Sequence, residues 1–277
     1  MRPFSIYYTN LEMFEQAQKK LLEMIMDVTE PDIVYLLGAT LKRNRTESIF
    51  SSSEPSVQFL NNFYFLVVIP DSRSRPLHEW QEMIEQSCSK VTETVVIVVT
   101  TKQFFEWLEG GHRFARNVEQ NAIKIVIKPT LRIPCIGPYD EVAEEKEISA
   151  MLGKGKYMAS EFLAGAEVYM TRQNWNLAAF MLHQALEQLL TNLITAKTGY
   201  EQRTHNIKRL MKYIFLFNGE LKVQIIKSNC LQKSELTQLD EMYYNSRYYE
   251  DFKFSEIIII KLKKIVSQII SERFVIL

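Results

Sequence analysis

Ala178-Ala179-Phe180-Met181-Leu182-His183-Gln184-Ala185-Leu186-Glu187 is apolar enough to be buried on most sides, yet it carries His183, Gln184 and Glu187. Two later segments repeat this mixture, Thr204-His205-Asn206-Ile207 and Tyr244-Asn245-Ser246-Arg247-Tyr248. Burying polar side chains without partners costs roughly 1–3 kcal/mol each. These residues therefore satisfy one another, face a second copy of the chain, or line a site.

The surrounding periodicity is helical. Trp175 to Thr198 reads as one helix, with Asn174 as its N-cap and Gly199 as its C-terminal stop. His183 and Glu187, four residues apart, share a face, and Gln184 with Gln188 forms a polar pair on the neighbouring face. Further helices are expected at 143–171, 205–217, 219–228, 234–245 and 254–272. No strand signal survives in this half, which reads as an all-α bundle.

The first half alternates the two periods. Leu11 to Thr29 is a helix closed by Pro31. Ile33-Val34-Tyr35-Leu36-Leu37 is a buried strand ending at Gly38. Phe63 to Ile69, Val95 to Val99 and Ile123 to Ile127 are three more strands, and their β-branched runs suit sheets covered on both faces. Pro76 to Val91 and Lys102 to Asn117 read as helices between them, and Ser51 to Pro55 as a loop. Pro129 to Pro138 has no regular period and holds three prolines. The expected division is an α/β domain over 1–130, a linker over 131–144 and a helical domain over 145–277, giving an α+β chain.

Composition limits the functional classes. Lysine plus arginine and aspartate plus glutamate both number 33 in 277 residues, so the formal net charge is zero. That removes any global electrostatic drive toward nucleic acid. Lys42, Arg43, Arg45, Arg73, Arg75, Arg113 and Arg116 still form a local basic set, readable as a phosphate-facing rim or as solvated surface. Cys88, Cys135 and Cys230 are scattered and odd in number, which argues against a disulfide framework or a structural metal site. Met1-Arg2-Pro3-Phe4-Ser5 lacks an apolar signal core, and the run Ile257 to Ile260 ends at Lys261, far short of a membrane span. A cytoplasmic protein without membrane contact is expected.

Each polar segment has a structural and a functional reading. His183 and Glu187 fit a buried hydrogen-bond network or a dimer seam, and also the wall of a cleft. Thr204 or His205 would satisfy the first amides of the next helix; alternatively, His205 meets a ligand at a helix N-terminus, where anions bind well. Tyr243, Tyr244, Arg247, Tyr248 and Tyr249 could stack a base and pair a phosphate, or serve as helix-packing material.

The order of these pieces resembles the HEPN domain, a helical bundle found in prokaryotic nucleotide-binding and toxin-like proteins. The likeness covers about residues 145–277 and rests on Ala178 through Glu187, then Thr204 to Ile207 with Leu210, then Ser246-Arg247-Tyr248. It implies a homodimer whose helices form a cleft for nucleotide or RNA, with His183, Glu187, His205, Tyr244, Arg247 and Tyr248 as candidate binding residues. The ribonucleases of the family carry an arginine followed four to six residues later by histidine. Here Arg247 is followed by Tyr248-Tyr249-Glu250-Asp251-Phe252-Lys253, with no histidine.

HEPN domains are often coupled to minimal nucleotidyltransferases, and the first half has a similar outline: helix, strand, Gly38-Ala39-Thr40, strand, helix, strand. That likeness implies a mixed sheet with Gly38 and Thr40 in a phosphate-holding turn. It also implies strand aspartates binding two magnesium ions for phosphoryl transfer. The second strand instead opens Asn61-Asn62-Phe63-Tyr64-Phe65, and Glu93 is the one acid near the third. A degenerate transferase without metal or cofactor is expected, beside an unrelated small α/β domain as the other reading.

The reading favoured overall is a binding protein rather than an enzyme, dimeric through its helical domain and taking nucleotide or RNA. The alternatives are an enzyme working through displaced residues, toxin-like ribonuclease or transferase, and a pure dimerisation module.

Overall fold

The structure, a computed structural model, describes residues 11–46, 56–71, 75–202, 204–217, 233–248 and 255–271. The chain divides into two compact units, Met1–Tyr139 and Asp140–Leu277.

The first unit is built on a four-stranded mixed sheet. Its elements are α1 (Leu11–Thr29), β1 (Ile33–Thr46), β2 (Ser56–Ile69), α2 (Leu77–Cys88), β3 (Thr94–Thr100), α3 (Thr101–Glu109), α4 (Arg113–Asn121) and β4 (Ile123–Ile127). The strand order is β3-β2-β1-β4. β1 runs antiparallel to both β2 and β4, and β2 is parallel to β3. The parallel pair needs a crossover, which α2 supplies.

Alternation along the strands assigns the two faces. Val34, Leu36, Phe63, Phe65, Val67, Ile69, Val96 and Val98 pack with Leu21 and Ile25 of α1 and with Trp80, Ile84 and Cys88 of α2. The intervening residues Ile33, Tyr35, Tyr64, Leu66, Val68, Val95, Ile97 and Val99 are buried as well. The Tyr35 ring lies 5.6 Å from Phe104 of α3, and its hydroxyl donates to Glu119 of α4 at 2.7 Å. Burial and Glu119 together push the Tyr35 phenol above its ordinary range. The sheet is thus covered on both sides, as the unbroken apolar runs require.

Two expectations are corrected here. The strand from Ile33 does not end at Gly38: β1 continues to Thr46, and the register shifts between Leu36 and Gly38. One extra residue is absorbed as a bulge and the pairing resumes. Gly38 lies opposite Tyr64 and Thr40 opposite Asn62, so neither stands in a phosphate-holding turn. The helix expected over Lys102 to Asn117 is two helices, α3 and α4, separated at Gly110-Gly111. Gly111 has φ +67°, and a Cβ there would lie 2.4 Å from the Pro138 carbonyl oxygen. Only glycine combines that backbone with that approach. The loop expected at Ser51 to Pro55 and the helix expected at 219–228 lie outside the described residues.

Asp32, the acid at the head of β1, is buried and fully employed. It accepts from the Thr101 hydroxyl at 2.6 Å and from Lys128 Nζ at 3.2 Å. Asp71 accepts from the Lys102 amide with both carboxylate oxygens, at 3.2 and 3.1 Å, and so closes the start of α3. Both acids brace the ends of the sheet.

The second unit is helical throughout its described residues: α5 (Glu141–Thr171), α6 (Trp175–Thr198), α7 (Ile207–Phe217), α8 (Lys233–Tyr248) and α9 (Glu256–Ser271). Asp140 caps α5 by accepting from the Val142 and Ala143 amides. Asn174 caps α6 through the Leu177 amide, and Gly199 ends it at φ +79°. A Cβ on Gly155 would meet Asn192, and one on Gly165 would meet Met181, so α5 and α6 lie antiparallel. α6 is the central helix, packing against α5, α7, α8 and α9. A Lys263–Glu167 ion pair of 2.7 Å links α9 to α5. No helix of the described residues is long and apolar enough to cross a membrane.

Candidate functional site

α6 is buried nearly all round, and its interior polar residues mark one place in the bundle. Glu187 is the hub. Its Oε1 lies 2.9 Å from His205 Nδ1, just before α7, and its Oε2 accepts from Gln184 Nε2 at 3.0 Å. His183, one turn earlier, has no exposed surface; its Nδ1 is 3.5 Å from the same Oε2. On the other side, His183 Nε2 stands 3.9 Å from Asp240 Oδ1 of α8. Neither His183 nitrogen makes a hydrogen bond of acceptable geometry, so His183 contributes proximity to two carboxylates and ring packing.

Tyr243 of α8 organises the aromatic part. Its ring stacks on His183 at 4.6 Å, on His205 at 5.3 Å and on Phe180 at 6.2 Å, with interplanar angles of 28°, 20° and 20°. Tyr244 stands edge-on to it at 5.8 Å and 88°. Tyr243 is buried, whereas Tyr244 is 64% exposed. The side chain of His205 is 61% exposed although its Nδ1 is fixed on Glu187, which is only 9% exposed. A carboxylate can only accept, so Nδ1 donates; in a neutral ring that leaves the lone pair on Nε2. The result is an imidazole held in one orientation at the surface of an otherwise buried cluster.

The start of α7 is closed by the protein itself. Asp240 accepts from the Ile207 amide at 2.6 Å and approaches the Lys208 amide at 3.4 Å. Asn206 Oδ1 accepts from Arg209 at 2.8 Å, and Thr204 Oγ1 from Asn206 at 3.1 Å. Of the two readings of this segment, capping is the one seen at these amides, which are satisfied within the protein. The capping falls to Asn206 and Asp240, with His205 turned to Glu187.

The structure thus brings His183, Glu187, His205 and Tyr244, four of the residues singled out from the sequence, to one place, together with Asp240, which the sequence reading missed. Arg247 and Tyr248 lie on α8 four residues after Tyr243 and Tyr244; their side chains are outside the described residues. Gly38 and Thr40 belong to the other unit. The basic set is split by its surroundings. Arg116 is buried, lies 3.5 Å over the Tyr139 ring and donates to the Gly111 carbonyl, so it is no part of a rim. Arg75 rests 5.8 Å over Trp80, and Arg73 lies outside the described residues. Among the described residues, no group of three or more His, Cys, Asp or Glu side chains is arranged to hold a metal ion.

The family model described as HEPN domain matches residues 156–273, a span that begins within α5 and contains the whole cluster. No curated protein matches the chain.

Proposed function

We propose that the helical unit binds nucleotide or RNA on the surface made by His205, Tyr244 and the outer part of α8. The observation that carries this reading is the exposed His205 imidazole, stacked on Tyr243 and fixed through Nδ1 by the buried Glu187. A surface histidine gains little from such restraint unless its free nitrogen has something to meet. In this reading Nε2 hydrogen-bonds a sugar or phosphate oxygen, and Tyr244 offers a face to a base. Arg247, one turn beyond Tyr243, contacts phosphate, with Tyr248 beside it. His183 and Glu187 brace the site from within.

The same unit carries the proposed homodimer. Tyr157 and Val168 of α5 are 63% and 54% exposed, and Ile257 and Ile260 of α9 are 77% and 48% exposed, on two helices that pack together. We read the first unit as a degenerate nucleotidyltransferase-like domain, supported by its mixed sheet and by the structural employment of Asp32 and Asp71. In this reading the chain is a binding protein rather than a transferase or the usual arginine–histidine ribonuclease of the family.

Isothermal titration of wild type and His205→Ala with ATP, GTP and a short single-stranded RNA tests the reading. Binding in wild type that weakens at least about tenfold in the variant supports it. Absent binding, or equal binding in both proteins, overturns it. The Glu187–His205 geometry favours one second reading, in which Nε2 removes a proton from a ribose 2′-hydroxyl. Cleavage of labelled RNA by wild type, lost in His205→Ala, would select it.

A further inference from the structure

Phosphate and sugar differ in what they offer to a histidine. A phosphate oxygen accepts hydrogen bonds, whereas a ribose 2′-hydroxyl both donates and accepts. Which of the two an imidazole can serve depends on where its own proton sits.

In this cluster the proton is fixed from behind. Glu187 Oε1 lies 2.9 Å from His205 Nδ1, and the carboxylate is itself oriented by Gln184 Nε2, which donates to the other oxygen at 3.0 Å. The Tyr243 ring, 5.3 Å away and 20° from parallel, backs one face of the imidazole. With Nδ1 committed to donating, a neutral ring presents Nε2 to solvent as an acceptor. The nearest helix amides offer no substitute donor. Asp240 accepts from Ile207 at 2.6 Å and approaches Lys208 at 3.4 Å, and Asn206 accepts from Arg209 at 2.8 Å. Two carboxylates, Glu187 on the ring and Asp240 at Ile207, also repel a phosphate more than they repel an uncharged hydroxyl.

We infer that His205 selects ribose: its Nε2 accepts from a 2′-hydroxyl, and the surface prefers a ribonucleotide chain to its deoxy counterpart. This rests on the nucleotide or RNA reading of the same surface and deepens it by assigning the sugar, not the phosphate, to His205. A group aligned for one hydrogen bond discriminates against a ligand that lacks the partner. The His205 side chain is 61% exposed, so water can replace the lost hydroxyl. The preference is therefore nearer tenfold than the much larger factors of closed sites, about 10⁴ or more.

The full chain is titrated at pH 8, where a free imidazole is neutral. The ligands are fluorescein-labelled single strands of about 20 nucleotides, ample for one such surface. RNA, 2′-deoxy and 2′-O-methyl strands share one sequence; the 2′-O-methyl oxygen is retained but cannot donate. Wild type should bind the RNA about tenfold more tightly than either analogue. In His205→Ala, its fold checked by circular dichroism, that ratio should fall toward one. Equal wild-type affinity for all the strands overturns the inference, as does an RNA preference that persists unchanged in His205→Ala. If the strands bind equally but His205→Ala weakens them all, the binding surface stands and only its choice of sugar is lost. Absent binding, or the same RNA affinity in wild type and His205→Ala, sinks the surface and the inference together. NMR of the nitrogen-labelled wild type reads the tautomer with no substitution at all. His205 should carry its proton on Nδ1, and RNA but not the 2′-O-methyl strand should shift Nε2. A proton on Nε2 at that pH overturns the inference.

Discussion

One carboxylate, that of Glu187, serves three neighbours: it fixes His205, accepts from Gln184 and faces His183. Replacing Glu187 by alanine strands the buried end of this set. Glu187→Ala should therefore cost about 1–3 kcal/mol in the helical unit. Glu187→Gln, which keeps an acceptor oxygen, should cost clearly less. Urea midpoints of wild type and the two variants check this, and midpoints equal to wild type in both variants would show that Glu187 stabilises nothing here. The other residue-scale prediction concerns Cys88, a buried thiol raised from an ordinary value of 9 to about 11, first by burial and then by the Glu85 charge. The folded protein holds this proton more firmly than the unfolded chain does. Below pH 9 both states keep it, so stability is unaffected; between 9 and 11 the unfolded chain releases it first, and stability falls as pH rises. The Tyr35 phenol adds the same sign above its ordinary value of 10. Cys88→Ala should flatten the loss in that window, and native iodoacetamide labelling mapped by peptide should mark exposed Cys135 well before Cys88. His183 and Glu187 were legible because helical spacing places them together. Asp240 was not, because its bond to the Ile207 amide spans 33 residues, and spacing sees only one turn.

At the scale of elements, the strands and helices that sequence marks best are those with long buried apolar runs. β3 and α6 fall where their apolar runs predict. β1 was misjudged because Lys42-Arg43-Asn44-Arg45 has the composition of a loop, while its pairing is held by the apolar partner strand that begins at Ser56. The break between α3 and α4 was missed because its cause lies elsewhere in the chain, at Pro138 against Gly111. The α5–α6 contact has a similar hidden dependence. A Cβ on Gly155 would come within 2.4 Å of Asn192 Cβ, so the two backbones are as close as a glycine permits. Gly155→Ala should lower the stability of the helical unit by about 1–3 kcal/mol through overpacking. Asn192→Gly in the same chain opens the space again, so the double variant should recover part of that loss. A double-mutant cycle measures the coupling, and simple additivity would show that the contact does not limit the packing.

For the whole molecule, the two units have separate cores and separate sensitivities. Each prediction above belongs to one of them: the Cys88 thiol sits among α1, α2 and the sheet, and Gly155 sits between α5 and α6. The fold class was legible from the change in period near the three prolines. The use made of the fold was less so, because Asp32 and Asp71 find their partners, Thr101, Lys102 and Lys128, at positions distant in sequence. Two cores imply two unfolding events rather than one. Scanning calorimetry of the full chain should then resolve two transitions. Raising the pH from 9 toward 11 should lower the one that Cys88→Ala protects, and Gly155→Ala should lower the other. If both perturbations move a single transition together, the units unfold as one cooperative body.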